Sequence, residues 1–378
     1  MKKLALSLCA AVVGLSTIGA ASAANATNDR AHWVPHFTTL PARNIDASTL
    51  VRQAAFGQTI PFWHSAVTSP LDRKTYQFDV VGSDPRSKTS TTVKYVPIAL
   101  RVHFTDGTVL DPSKPGCGDN VSVTNRFFGS PLFTNASFVS NGVNVGTTQL
   151  IDAFQRAEFW QYAKGSNYHV LLSPAASIRT LDVKAPVDAI TQPGVCSGSN
   201  HNIGEIDINE YDNLVTGVTA KYAKANQYPI ILTYNTFQTQ NFQCCILGYH
   251  SAYNVRGGTQ TYSVGAYNDA GIFSVPIEDI HAWTHEIGEW ANDPFVQGFN
   301  NDNVTPAWGH VGQVGSCQNN LEVGDPLTGT PFALTAKGFK YHPQELAFFS
   351  WFYRTRSLGT AGKYSFEGSF KTAQGACS

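Results

Sequence analysis

Charged residues are scarce in this chain of 378 residues. Asp, Glu, Lys and Arg make up 14% of it, well below the roughly 25% typical of soluble domains. The 26 basic and 27 acidic residues nearly balance, and they form neither a basic patch nor an acidic tail. Nucleic acid is therefore not an expected partner. G-x-S-x-G and Walker motifs are also missing, so serine hydrolase and nucleotide chemistry have little support.

The N-terminus has the pattern of a secretory signal peptide, which is the first positive feature of the sequence. Met1-Lys2-Lys3 precedes an apolar run that continues to about residue 19, and Ala21-Ser22-Ala23 follows it. A basic start, a short apolar core and an A-x-A site are typical of such a signal. We expect cleavage after Ala23 and a secreted or periplasmic protein. No later apolar run is long enough to span a bilayer.

Six cysteines remain once Cys9, which lies in the apolar core of the signal, is removed. They are Cys117, Cys196, Cys244, Cys245, Cys317 and Cys377. An even number in an exported protein predicts disulfides, with fifteen pairings for six cysteines. We expect Cys244 and Cys245 to bond to different partners, because neighbouring cysteines bridge each other only with strain.

The rest of the chain divides into two regions by its pattern of apolar residues. Residues 24–145 are β-rich, since residues 76–81 and 91–104 alternate as half-buried strands do. This region could serve as a propeptide or an accessory domain, with residues 24–48 as a loosely attached arm. Residues 146–378 mix helical and strand periods and are assigned to a metal-site domain. The expected fold class is α+β, with a mixed α/β C-terminal part.

Within the second region the apolar spacing predicts three helices and one buried strand. The helices are expected over residues 146–163, 204–224 and 343–353. Residues 229–234 are apolar enough for the interior of a sheet. A further helix is expected to carry the most informative motif of the chain.

That motif is His285-Glu286-Ile287-Gly288-Glu289, which reads H-E-x-x-E, one letter from the H-E-x-x-H helix of zinc peptidases. Residues i and i+4 lie one turn apart on one helix face, so His285 and Glu289 can hold one metal ion. Glu286 points about 100° further round, where a Glu can act as general base toward metal-activated water. The alternative interpretation is an ordinary helix with three surface residues.

An acidic pair downstream of the motif offers a third ligand. Catalytic zinc sites use three protein ligands plus water, and either Glu322 or Asp325 can complete the set with His285 and Glu289. Zn²⁺ with these ligands carries a net charge of about zero, so bound water is less acidic than at a two-histidine site. The carboxylate-rich set suits Mn²⁺ or Ca²⁺ as well as Zn²⁺. Metal binding is therefore a firmer expectation than peptidase activity.

The limits of the motif helix follow from its prolines. Pro276 suits the first turn, and Asp293-Pro294 ends the helix. Gly288 costs about 1 kcal/mol relative to Ala in a helix interior, which suggests that another backbone passes close by. His281 lies one turn before His285 and can join a ligand ladder, but a histidine that packs or caps beside the site is favoured.

Other candidates are weaker. His250 is either a transition-state donor or, as is more common, a structural hydrogen bonder. Tyr249 is an oxyanion donor or, by default, a half-buried structural residue. His310, in the loop before Cys317, is a further ligand candidate.

Taken together, these motifs resemble the phosphate-induced protein 1 / EXORDIUM family, exported and largely plant proteins linked to growth and the cell wall. The resemblance covers about residues 228–327 and is carried by Leu232-Thr233, the segment from Cys244 to His250, the H-E-x-x-E helix, Asn292-Asp293-Pro294, Trp308 and Glu322-x-x-Asp325. It implies that His285, Glu286, Glu289, Glu322 and Asp325 belong together, and it supplies no agreed enzymatic role. A second resemblance, through the helix alone, is to zincin metallopeptidases.

Two functions follow as expectations. The first is an exported zinc-dependent endopeptidase that acts on polypeptide, with Glu286 as general base. The second is a non-catalytic extracellular or cell-wall protein with a structural metal site or none. Such a protein would bind polysaccharide through its aromatic residues, which make up 12% of the chain. In both cases we expect a monomer that is not attached to a membrane.

Overall fold

The computed structural model describes residues 35–38, 40–241, 243–296, 304–309, 317–375 and 377. The predicted signal peptide and His310 lie outside these residues. The described helices are α1 (Ala47–Ala55), α2 (Val123–Phe128), α3 (Leu150–Glu158), α4 (Trp160–Ala163), α5 (Ile208–Tyr222), α6 (His281–Asn292) and α7 (Phe349–Phe352). None of the helices in these ranges is long and apolar enough to cross a membrane.

Strands hold more residues than helices, and the predicted α+β class is confirmed. The first strands are β1 (Phe62–Thr68), β2 (Thr75–Val81), β3 (Ser90–His103), β4 (Val109–Leu110), β5 (Ala136–Ser140), β6 (Val143–Thr148), β7 (His169–Pro174), β8 (Arg179–Lys184), β9 (Ile190–Gln192) and β10 (Ile203–Asp207). The others are β11 (Gln227–Tyr234), β12 (Thr236–Gln240), β13 (Gln243–Ile246), β14 (Gly248–Val255), β15 (Gly258–Tyr267), β16 (Trp308–Gly309), β17 (Cys317–Gln318), β18 (Leu334–Ala336) and β19 (Phe339–Tyr341).

The largest sheet has seven strands and a parallel interior. β3, β11 and β15 run parallel as neighbours, with β14 antiparallel beyond β15, and β7, β8 and β4 also pair with β3. Ile230, Ile231 and Leu232 of β11 are fully buried, as predicted for the interior of a sheet. Because β3 lies between β11 and the β7–β8 pair, this sheet crosses the boundary predicted at residue 145.

The described N-terminal segment is held against the sheet. The His36 backbone N–H donates to Cys245 O at 3.0 Å, and its carbonyl accepts from Leu247 N at 3.1 Å. Further on, Arg43 N donates to Ala252 O at 2.9 Å. The predicted loose arm is therefore wrong at His36 and Arg43. The hydrogen bonds run to strands about 200 residues away, and composition alone carries no information about such long-range pairing.

Predicted helices are shorter in the structure. Residues 146–163 end β6 and then form α3 and α4. Residues 204–207 belong to β10, and α5 starts only at Ile208, where the Asp207 side chain accepts from Asn209 N and Glu210 N. A β-carbon on Gly204 would lie 2.3 Å from the Phe104 ring, so close sheet packing replaces the first predicted turn. Of residues 343–353, only α7 is helical.

Helix α6 carries the H-E-x-x-E motif and is buried along its whole length. It packs across β14 and β15 and also contacts β2 and α3. It ends at Asn292, as predicted, but it begins at His281 rather than near Pro276. The reason is that Asp279 N donates to Asn268 O at 2.9 Å, which holds the preceding backbone in a strand-like pairing. The close neighbour of Gly288 is the Leu346 side chain, 2.5 Å from a built β-carbon, and not a backbone.

All six predicted cysteines form disulfides. The pairs are Cys117–Cys196, Cys244–Cys245 and Cys317–Cys377. The expectation of separate partners for Cys244 and Cys245 is wrong. The two residues bond to each other, the peptide bond between them is cis, and their Cα atoms lie 3.0 Å apart.

Candidate metal centre

The motif side chains on α6 lie inside the protein. His285 and Glu286 are fully buried, and Glu289 is 3% exposed. The alternative of three surface residues is therefore wrong. Ionised groups in such a place are costly unless they are paired or bind a metal ion.

Glu289 is the residue that joins the predicted ligands. Its Oε1 lies 2.9 Å from His285 Nε2 and accepts from the backbone N–H groups of Gly324 and Asp325 at 3.1 and 3.2 Å. Asp325 Oδ1 lies 3.4 Å from the same His285 nitrogen. One ligand atom from each of His285, Glu289 and Asp325 falls within 4.8 Å of the others, so this predicted set can hold an ion.

His250, on β14, faces the other side of the same cluster. Its Nδ1 lies 3.5 Å from Glu286 Oε2 and 3.8 Å from Glu289 Oε2, and its Nε2 lies 3.9 Å from Glu322 Oε2. His250, Glu286 and Glu289 form a second possible ligand group. The sequence interpretation favoured a structural role for His250. The pattern Gly248-x-His250 is the sequence signal that could have placed His250 at the site, because alternate residues of a strand share one face. On that face Gly248 lies against the motif helix, since a β-carbon on Gly248 would lie 2.7 Å from Glu286 Cγ.

Outer contacts orient both histidine rings. His250 Nε2 lies 3.1 Å from the carbonyl oxygen of Asp293, and His285 Nδ1 lies 3.2 Å from Gln344 Oε1. Gln344 Nε2 donates to Gly324 O at 2.7 Å, which sets the direction of that amide. Carbonyl and amide oxygens only accept, so these ring nitrogens carry the protons. When both rings are neutral, the lone pairs of His250 Nδ1 and His285 Nε2 point to the carboxylates.

Burial and mutual repulsion govern the charges of this cluster. Burial raises the pKa of Glu289 well above its ordinary value, and the charge of Asp325 raises it further. The pKa of Glu322 is raised in the same way, by burial and then by Glu289. Burial lowers the pKa of His250 to about 3, so this ring is neutral near pH 7. A group of carboxylates in this environment needs bound protons or a cation.

Unpartnered buried atoms test whether a cation fits. Both carboxylate oxygens of Glu286 and the Nδ1 atom of His250 have no hydrogen-bond partner among the described residues. Native proteins leave few such groups, and an unseen ion or water is a usual explanation. The lone pairs converge, and imidazole and carboxylate are common ligands of divalent ions. The donor set therefore fits a divalent metal ion.

Two neighbours close the centre. The ring of Phe37, from the N-terminal segment, stacks on His285 with centroids 3.5 Å apart and 14° between the planes. Gly324 lies against the same ring, and a β-carbon there would be 2.5 Å from His285 Nδ1. His281 is fully buried one turn away and, within the described ranges, belongs to neither ligand group. The hydroxyl of Tyr249 donates to Asp212 at 3.2 Å, which gives it a structural role.

A separate histidine–carboxylate group lies just before α6. His342 Nδ1 is 2.7 Å from Glu278 Oε1 and 2.8 Å from Asp279 Oδ2, and the His342 backbone N–H also donates to Asp279. These residues line a cleft of about 490 Å³ together with Asn268 and Phe339. The sequence interpretation missed this group, because nothing in the spacing links residue 342 to residues 278 and 279.

No protein-family model, curated protein or solved structure matches this chain. The resemblances to the EXORDIUM family and to zincins therefore remain predictions that rest on the motifs alone.

Proposed function

We propose that the protein is an exported metal-dependent hydrolase, a zinc endopeptidase, with its centre on α6. One observation carries the proposal. Four carboxylates and two histidines from α6, β14 and residues 322–325 come together inside the protein. Their exposed fractions are only 0–6%. Each carboxylate has an oxygen within 3.9 Å of a histidine nitrogen. Such a group is costly to bury without a cation.

Three ligands and one base are assigned within this group. His285, Glu289 and Asp325 would hold the ion, with Glu322 on the His250 side. A divalent ion supplies Lewis acidity, which polarises a carbonyl and makes water more acidic. Glu286 is the proton acceptor, because it lies beside the ligands and its oxygens have no hydrogen-bond partner in the described structure. Backbone N–H groups of Gly324 and Asp325 hold Glu289 in place.

A polypeptide can reach this centre only after something moves. Phe37 is 6% exposed and covers His285, and its segment is held by backbone hydrogen bonds at His36 and Arg43. In the proposal, displacement of residues 35–38 and 40–46 opens the centre. Three disulfides and the signal-like N-terminus support an oxidising, extracytoplasmic location.

Complete burial favours a second candidate, a protein in which the ion only stabilises the fold. Structural metal sites are closed, whereas catalytic sites keep an open position. This alternative retains the ligands and removes the role of Glu286 as base.

Metal content and peptide cleavage, measured on wild type and on Glu286→Gln, separate these candidates. The hydrolase proposal expects cleavage by wild type once residues 35–38 and 40–46 are displaced by limited proteolysis, and none by Glu286→Gln, which still binds metal at His285. Bound metal without cleavage by the opened wild type would leave the structural candidate. If the protein binds no metal and chelator does not change its melting temperature, both candidate functions are contradicted.

A further inference from the structure

The carboxylate of Glu289 lies between two histidines and presents one oxygen to each. Oε1 is 2.9 Å from His285 Nε2, and Oε2 is 3.8 Å from His250 Nδ1. Both rings are oriented from behind, by Gln344 and by Asp293 respectively. The two lone pairs therefore converge on opposite oxygens of one side chain.

Each side of Glu289 also has its own additional carboxylate. Asp325 Oδ1 is 3.4 Å from His285 Nε2, and Glu286 Oε2 is 3.5 Å from His250 Nδ1. The ligand atoms of each triad fall within 4.8 Å of one another, and Glu289 belongs to both triads. We propose that the centre binds two divalent ions bridged by Glu289, a proposal that rests on the metal binding proposed above. One ion is held by His285 and Asp325, and the other by His250 and Glu286.

Charge supports two ions rather than one. When ionised, Glu286, Glu289, Glu322 and Asp325 carry four negative charges, and each has an oxygen within 3.9 Å of a nitrogen of His250 or His285. Neutral histidines on one divalent ion would leave two negative charges in a site of 0–6% exposure. Two ions cancel all four charges, and cancelled charge is much less costly to bury.

The ligand chemistry limits the ions. Two imidazoles with four carboxylates suit Zn²⁺ or Mn²⁺, and paired ions in hydrolases lie about 3.5–4 Å apart. In this arrangement Glu286 binds through Oε2, and Oε1, which has no hydrogen-bond partner in the described structure, remains the proton acceptor.

The test is the number of Zn²⁺ ions bound by the full chain, counted by native mass spectrometry after chelation, reconstitution and desalting. Two ions are expected. One ion would overturn the bridged pair and leave the proposed function intact, whereas no ion would overturn both. The double variant Glu278→Gln/His342→Gln is the matched control, since it removes the other histidine–carboxylate group. It should still bind two ions, and a fall to one would place the second ion in the cleft and overturn the proposal.

Reconstitution with Mn²⁺ gives a second readout, which is measured first on the wild type. Electron paramagnetic resonance of wild type loaded with Mn²⁺ should show the exchange-coupled spectrum of a bridged pair. His250→Gln should show the spectrum of a single uncoupled ion, with its folding checked by near-UV circular dichroism. An uncoupled spectrum from fully loaded wild type would contradict the bridge.

Discussion

Two groups of histidine and carboxylate side chains flank α6, and they have similar composition but opposite surroundings. Glu278, Asp279 and His342 lie before the helix, where the side chains of Glu278 and His342 are 21% and 22% exposed and bond directly to each other. On the body of the helix, Glu286 and His250 are buried with atoms that have no hydrogen-bond partner in the described structure. The members of the first group pair with one another, whereas the second group needs bound protons or a cation. Residue types alone therefore do not define a metal site.

Glu289→Gln is the change with the largest expected effect on this comparison. It removes the charge between His285 and His250, so the affinity for Zn²⁺ should fall by more than about 100-fold, since even outer contacts to a metal ligand are worth about 10–100-fold. Competition with a chromophoric chelator measures it. Glu278→Gln is the matched control and should bind Zn²⁺ as wild type does. Equal losses in the two variants would erase the distinction between the groups.

Removal of metal should destabilise the protein through the buried group alone. An ion present at 100 times its Kd stabilises the folded state by about 2.7 kcal/mol, and chelator should remove that contribution. Thermal unfolding with and without chelator measures the shift, which should be the same in wild type and in His342→Gln. A shift that disappears in His342→Gln would assign the metal to the exposed group instead.

Phe37→Ala should loosen the cover of the buried group. Its ring stacks on His285, so its loss should speed the extraction of metal by chelator on the order of tenfold, the equivalent of ~1.4 kcal/mol. Stopped-flow or manual mixing with a coloured chelator follows the rate. Phe56→Ala is the control, because Phe56 is 73% exposed. Equal rates in wild type and Phe37→Ala would mean that metal leaves by another route.

Glu158 is a buried carboxyl outside both groups, and it tests the cost of a buried charge where no metal ion is proposed. Burial raises its pKa well above the ordinary value, so folded protein keeps the proton while the unfolded chain releases it. The stability from this proton is present below the ordinary pKa of 4.5 and is lost as pH rises, by at most about 1.4 kcal/mol per pH unit. Glu158→Gln should therefore gain stability over wild type between about pH 5 and about pH 8.

Urea unfolding at both pH values checks this difference, and chelator should not alter it. A pH-independent difference would show that Glu158 is ionised in the folded state.

Local spacing predicted the core of the candidate centre. The i, i+4 relation put His285 and Glu289 on one helix face, and the acidic pair after the helix included Asp325, which lies 3.4 Å from His285. The end of α6 at Asn292 and the buried strand β11 also follow from patterns within a few residues. These features depend on backbone periodicity, which a sequence states directly.

The other parts of the centre depend on long-range packing, which no local sequence pattern predicts. His250 joins the centre only because β14 packs on α6, and Phe37 reaches His285 only because its segment pairs with distant strands. The same reason explains the late start of α6, where Asp279 bonds to Asn268. Contacts between residues distant in sequence depend on sheet order and helix packing, which the whole core determines. A periodic pattern in the sequence does not identify them.

Anomalous X-ray diffraction at the zinc edge, on crystals of Zn²⁺-loaded protein, tests the central claim most directly. The account predicts two anomalous peaks, one beside each carboxylate oxygen of Glu289, between that residue and His285 on one side and His250 on the other. Peaks beside Glu278 and His342 with none at Glu289 would contradict it.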